Sequence, residues 1–309
     1  MTNDMKKTYH LCLSAGNEIM FRDQSDYYRA FNSFALALYK TNSTGLAEAI
    51  MATHIHMVVQ TSNPTEFMHA FRKSYSKYFN YKYGREGCLG EKSHFQLEIN
   101  GVHHLIAAIS YVLRNPLHHG VATIAYAYPH SSINVIFQED MGKLPNTHLL
   151  SEKSYYKYIG RRAEYPSHYK MSKEGVFLRE SVLDIAQVEN IFVTPRAFDY
   201  YMNRKTSEDW EKEQHKDGVS TLPIKINDIE KGIKLNSIDS MLRNESGRGC
   251  HKQISDIELC YKIDHEILPK YGKGSIYLLT VDEQLRIAEF LSKNLHIGEG
   301  QIKRCLHII

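Results

Sequence analysis

The stretch Met51–Gln60, MATHIHMVVQ, constrains the fold of this chain more than any other. It is an apolar run that reads as a β-strand, and it carries two histidines, His54 and His56, one residue apart. Side chains of a strand alternate between faces. Both imidazoles therefore point one way, while Ile55, Met57 and Val59 point the other. Two neutral imidazoles projecting together from a rigid strand begin a divalent metal site. They do not complete it, because most catalytic metals take a third protein ligand. What the chain can do depends on whether another segment supplies that ligand and a nucleophile.

The surrounding pattern gives the strand a context. Tyr9–Ala15 reads as a first strand, and Gln24–Lys40 carries Tyr28, Phe31, Phe34, Ala35 and Leu38 at helical spacing. Gly45–Met51 and His54–Thr61 follow as strands. Ser62-Asn63-Pro64 is a stop and a helix start, and that helix runs to about Tyr83. After a loop, His94–Ile99 is expected as a fourth strand. Val102–Asn115 is expected as a third helix closed by Pro116, since proline disfavours helical geometry in the residue before it. The order β-α-β-β-α-β-α suits an α+β fold: a ferredoxin-like antiparallel sheet with helices on one face, over residues 1–125. Residues 126–173 are weakly patterned and read as an extension or connector. Residues 174–309 read as mainly helical, with Thr206–Lys216 a polar helix or linker. Thr280-Val-Asp-Glu283 is a capping box. A helix, a glycine-containing turn and a second short helix then make a helix-turn-helix an expectation for residues 280–308. An ordinary helical hairpin fits that segment equally well.

Composition narrows the class. A chain of 309 residues, 42% hydrophobic and 24% charged, is ordinary for a soluble globular protein. No apolar run approaches the roughly 18 residues of a membrane span. The first residues carry no apolar signal segment. The five cysteines are scattered with no C-x-x-C pair, so neither a zinc knuckle nor a disulfide framework is supported, and a reducing, cytoplasmic setting is expected. The net charge of +3 does not itself point to nucleic acid. Its distribution says more. Between Met68 and Arg85 there is no acidic residue, and Arg72, Lys73, Lys77, Lys82 and Arg85 alternate with rings, Tyr78 among them. Cations for phosphates and rings for bases are the ingredients of a single-strand binding surface. The bland alternative is a solvated basic helix with its rings in the core. In the terminal helix, Lys303 and Arg304 are the candidate DNA contacts.

Chemistry enters with the third helix. Tyr111 and Asn115 are four residues apart and share a helical face. An amide oxygen can ligate Mg²⁺ or Mn²⁺, and a deprotonated phenol can act as a nucleophile. His54, His56 and Asn115 are then the candidate metal ligands and Tyr111 the candidate nucleophile. The pairs His103-His104 and His118-His119 lack the spacing of a helical metal pair and read as surface or loop residues.

These residues carry a family resemblance. His54-Ile55-His56, then Lys77-Tyr-Phe-Asn-Tyr-Lys-Tyr-Gly-Arg85, then Tyr111 with three residues between it and Asn115-Pro116, stand in the order found in the HUH endonucleases. Among these the chain resembles the single-tyrosine transposases, most closely the REP-associated tyrosine transposases, over about Tyr9–Ala122. It departs from that pattern at Ala52-Thr53, where Pro-Asn is usual, at Ile109, and in lacking a tryptophan near Cys88. The resemblance implies a divalent metal, a single-stranded or hairpin DNA partner, and attack by Tyr111 to form a 5′-phosphotyrosine link. Two other classes remain open: a DNA-binding regulator on the same fold with idle chemistry, and a replication initiator or relaxase. A monomer and a homodimer are both compatible with the sequence.

Overall fold

A computed structural model describes residues 5–16, 18–143, 148–203 and 254–308. Thr206–Lys216, expected as helix or linker, lies outside them, as does Cys250. The N-terminal elements are β1 (Lys7–Ser14), α1 (Gln24–Lys40), β2 (Thr44–Met51), β3 (His54–Thr61), α2 (Pro64–Tyr83), β4 (Phe95–Ile99) and α3 (Val102–His118). Each helix start has a local cause. Asp23 caps α1 in a capping box with Asp26. Asn63 caps α2 with Pro64 in its first turn, and α2 stops at Gly84, whose φ of 63° suits glycine.

The four strands form one antiparallel sheet in the order β2-β3-β1-β4. This is the α+β arrangement with a four-stranded antiparallel sheet that the element order predicts. The two sheet faces are filled by different elements. Tyr9, Leu11 and Leu13 of β1 and Ile55, Met57 and Val59 of β3 pack against α1 and α2, with Phe31, Phe34, Phe67 and Phe71 in the same core. On the other face α3 lays Ile109, Val112 and Leu113 against Ala47, Ala49 and Val58. The expectation of helices on one face is thus corrected. β2 and β3 are buried on both sides, so the apolar residues opposite the first core need a cover of their own.

α3 also runs further than expected, through Pro116 to His118. The turn from Val112 to Pro116 is buried. The N–H of His119 donates to the Asn115 carbonyl at 3.1 Å, and that of Val121 to the Pro116 carbonyl at 2.9 Å. Packing and these closing bonds outweigh the local preference against helix before proline.

The expected connector is built into the sheet's surroundings. β2 is an edge strand, and an open edge invites pairing with other chains. Here the Ile50 N–H donates to the His130 carbonyl at 2.8 Å, and the Asp184 N–H to the Gly45 carbonyl at 2.9 Å. The Glu48 N–H donates to Ser132 Oγ at 3.0 Å. Ile133, Ile136 and Phe137 join the α3-side core, while Tyr155, Ile159 and Phe177 join the core of α1 and α2. Short helices α4 (Tyr156–Ile159), α5 (Arg179–Val182), α6 (Ile185–Phe192) and α7 (Pro195–Met202) follow.

The last described stretch carries α8 (Asp256–Lys262), α9 (Val281–Leu295) and α10 (Glu299–Leu306). They enclose a third core with Leu259, Ile263, Ile287, Leu291, Ile302 and Leu306. Thr280 and Glu283 form the expected capping box of α9. Arg22 ties this unit to the N-terminal part. Its guanidinium is 1% exposed, donates twice to Asp264 at 2.7 and 3.0 Å, and donates to the Cys305 carbonyl at 2.9 Å.

Candidate active site

β3 and α3 bring the candidate residues together beneath the α3 face of the sheet. Antiparallel pairing sets His56 opposite Cys12 and His54 opposite Ser14. His10, two residues before Cys12, lies on the same face. Its Nε2 is 3.0 Å from His56 Nδ1, so one of the two imidazoles donates to the other. The other ring nitrogen, His56 Nε2, lies 3.9 Å from Cys12 Sγ. His54 Nδ1 lies 3.0 Å from Thr53 Oγ1, and its Nε2 lies 3.0 Å from Asn115 Oδ1. The Tyr111 ring stands edge-on to His56 and His10, at 5.5 and 5.7 Å between centroids, and stacks with His118 at 5.8 Å. His54 and His119 are 5.2 Å apart.

The histidines here are held neutral. Burial pushes His10 and His54 down to about 3, with His119 adding to the effect on His54. His56 is pushed well below its ordinary value, first by burial and then by His54 and His10. Burial, then Arg114, lowers His118 to about 4. Burial raises the Cys12 thiol, so it stays protonated. Desolvation disfavours the charged form in each case. Neutral imidazole is the form that ligates a metal and the form that accepts a proton.

The donor set suits a divalent ion. Adjacent ligands on an ion at about 2.1 Å stand about 3 Å apart, and His54 Nε2 and Asn115 Oδ1 are at 3.0 Å. The same separation also serves a plain His–Asn hydrogen bond. Asn115 Nδ2 is buried without a hydrogen-bond partner, so the amide is not held there by a full set of its own bonds. Two imidazoles with one amide oxygen suit Mn²⁺ better than Mg²⁺, which prefers oxygen. Among the described residues no group of three His, Cys, Asp or Glu could hold a metal. A metal held here would therefore depend on the amide, and the three candidate residues bring no negative charge.

His10 and Cys12 escaped the sequence reading, although they alternate in β1 as His54 and His56 do in β3. His118 and His119, expected at the surface or in a loop, are instead beside Tyr111 and His54. His104 is likewise buried. All four candidate groups are enclosed: His54, His56 and Asn115 are 0% exposed and Tyr111 is 3%.

The candidate DNA contacts divide. Lys73 and Lys77 are exposed on α2. Arg72 donates to the Lys92 carbonyl at 3.0 Å. Lys82 is held by Asp23 and Asp26 at 2.6 and 2.7 Å, and Arg85 by Glu18 at 2.7 and 3.0 Å. Tyr78 donates to Asp26 at 3.0 Å. Burial, then Asp26, pushes its phenol up to about 12. Arg304 is corrected outright: its side chain is 4% exposed and bridges to Asp256 at 3.0 Å. α10 buries Gln301, Ile302, Arg304, Cys305 and Leu306, which makes it a core helix. Lys303 faces outward and pairs with Glu299 at 2.6 Å.

No family model matches this chain, and no curated protein matches it. Among solved structures a similar one is the "Structure of the REP associates tyrosine transposase bound to a REP hairpin". Identity is 12%, the TM-score is 0.39, and the match covers 46% of this chain and 84% of that chain. No helix among the described residues is long and apolar enough to cross a membrane.

Proposed function

We propose that this protein is a metal-dependent single-stranded DNA endonuclease and strand transferase with Tyr111 as its nucleophile. One observation carries the reading: Tyr111 and Asn115 on α3 meet the neutral His54 and His56 on β3 in one enclosed cluster. His54, His56 and Asn115 would hold Mn²⁺ or Mg²⁺. When bound, the ion supplies Lewis-acid polarisation of a phosphate oxygen. The chain's own residues do the rest. The phenolic oxygen of Tyr111 attacks phosphorus and the bond to the 3′ oxygen breaks. The products are a 5′-phosphotyrosine link and a strand ending in a 3′-hydroxyl. The phenolic proton leaves to a neighbouring acceptor, and unprotonated imidazoles surround the ring. Reversal by the same or another 3′-hydroxyl reseals or exchanges strands.

The test is a denaturing gel of the protein incubated with labelled hairpin DNA bearing a single-stranded flank, with Mn²⁺. A covalent adduct is expected with the wild type, and none with Tyr111→Phe. His54→Ala with His56→Ala should abolish metal-dependent cleavage. An adduct that persists in Tyr111→Phe removes the nucleophile assignment.

A second reading has its own support. The cluster is fully enclosed, which suits a DNA-binding regulator whose chemistry is idle. Hairpin binding with no adduct, across metals and substrates, favours it.

A further inference from the structure

An open groove of about 950 Å³ lies on the α1–α2 side of the sheet, with the first core and the sheet between it and Tyr111. Its walls are α1, α2 and the segment 156–164. Seven cations and one carboxylate, Glu164, line it. That local excess is larger than the +3 of the whole chain. Lys40, Lys73, Lys77, Arg161 and Arg162 are exposed, and among the described residues none of the five is in an ion pair. This contrasts with Lys82 and Arg85 at the far end of α2, which carboxylates hold.

Two further features mark the groove as a ligand surface. Rings stand among the cations: Tyr81 is 92% exposed and Tyr156 44%. Arg29, at the groove's base, is fixed over the Tyr78 ring at 5.6 Å and by the Tyr158 carbonyl. Its buried Nε has no hydrogen-bond partner. Unneutralised cations in a concave wall attract a polyanion, and exposed rings between them fit bases. An anionic membrane would need no concavity.

We propose that this groove is a second, non-catalytic nucleic-acid site, which takes a single-stranded phosphate backbone along its cations and stacks bases on Tyr81 and Tyr156. It stands on its own residues and does not depend on chemistry at Tyr111.

The test is fluorescence anisotropy with labelled oligothymidine, at several salt concentrations and without divalent metal. Three variants of the full chain are compared: Lys73→Ala with Lys77→Ala, Arg161→Ala with Arg162→Ala, and Tyr81→Ala. Each changes exposed side chains only, and unchanged thermal melting confirms folding. Each of the two double variants should weaken binding about tenfold and flatten its salt dependence, since removing one phosphate-binding cation lowers the slope by about 1. Tyr81→Ala should weaken binding with the salt slope unchanged. Lys293→Ala, exposed on α9 and outside the groove, should bind as wild type, which shows that the loss is local to the groove. The proposal is overturned if the double variants bind oligothymidine like the wild type. It is equally overturned if they lose only binding to phosphatidylserine vesicles.

Discussion

His10 shows what a single side chain does in this cluster. It ligates nothing in the proposed set, yet its contact with His56 Nδ1 occupies one ring nitrogen and leaves the other, beside Cys12 Sγ, as the candidate donor. Partners behind a metal-binding histidine fix its tautomer and ring orientation. His10→Phe keeps an aromatic ring, slightly larger, and removes the hydrogen bond. It should lower Mn²⁺ affinity by about 10- to 100-fold, read by calorimetry on the metal alone. Unchanged affinity with unchanged melting would leave His10 a packing residue. His130 makes a prediction of another kind. Its ring stacks on Tyr27 at 3.9 Å, and burial, aided by Arg179, lowers it from 6.5 to about 3. The unfolded chain therefore takes up a proton below 6.5 that the fold refuses. Stability is fully present above pH 6.5 and falls as pH drops toward 3. The slope approaches about 1.4 kcal/mol per pH unit for such a group. His10 and His54 share the direction and the window. Urea midpoints measured from pH 7 down to about 5, above the carboxylate range, should decline, and less so in His130→Phe. A flat profile would contradict neutral burial.

Among the elements, β2 depends most on its neighbours. A Cβ at Gly45 would come within 2.8 Å of both Leu183 and Leu38. Gly45→Ala should therefore destabilise by about 1–3 kcal/mol, through overpacking where residues 183–184 seal the edge. Chemical denaturation measures it; an unchanged midpoint would mean that the edge seal yields freely. α2 was legible in the sequence as a helix with a basic, ring-rich composition. Which of its cations face outward was not. Lys73 and Lys77 do, whereas Lys82 and Arg85 are taken up by Asp23, Asp26 and Glu18 from the preceding segment. A helical position states which face a residue occupies, but a carboxylate arriving from another element decides whether its charge is spent. α10 makes the same point: Arg304 looked like a DNA contact and is a buried partner of Asp256.

At the scale of the molecule, two junctions matter. Arg22 joins the N-terminal sheet region to the C-terminal helices through Asp264 and the Cys305 carbonyl. Arg22→Met should cost on the order of 3 kcal/mol, because it leaves Asp264 without its charge partner. Proteolysis should then cut first around the C-terminal helices; a protected C-terminal unit would argue against the junction. The other junction is the seam between α3 and the sheet, which encloses Tyr111, His54 and His56, so any reaction there with DNA requires this seam to open. Cys12 lies inside it and Cys88 outside, so thiol labelling should be slow at Cys12 and fast at Cys88. Equal rates would show the seam already open. The sequence by itself determined the α+β order, the strand carrying His54 and His56, and the shared helical face of Tyr111 and Asn115. All of these follow from periodicities of two and 3.6 residues within single segments. Only the tertiary structure decided that α3 covers the second sheet face, that His10, His118 and His119 crowd the same cluster, and which cations remain unpaired. Those outcomes depend on register and on contacts between residues far apart in the chain, and no local pattern encodes them.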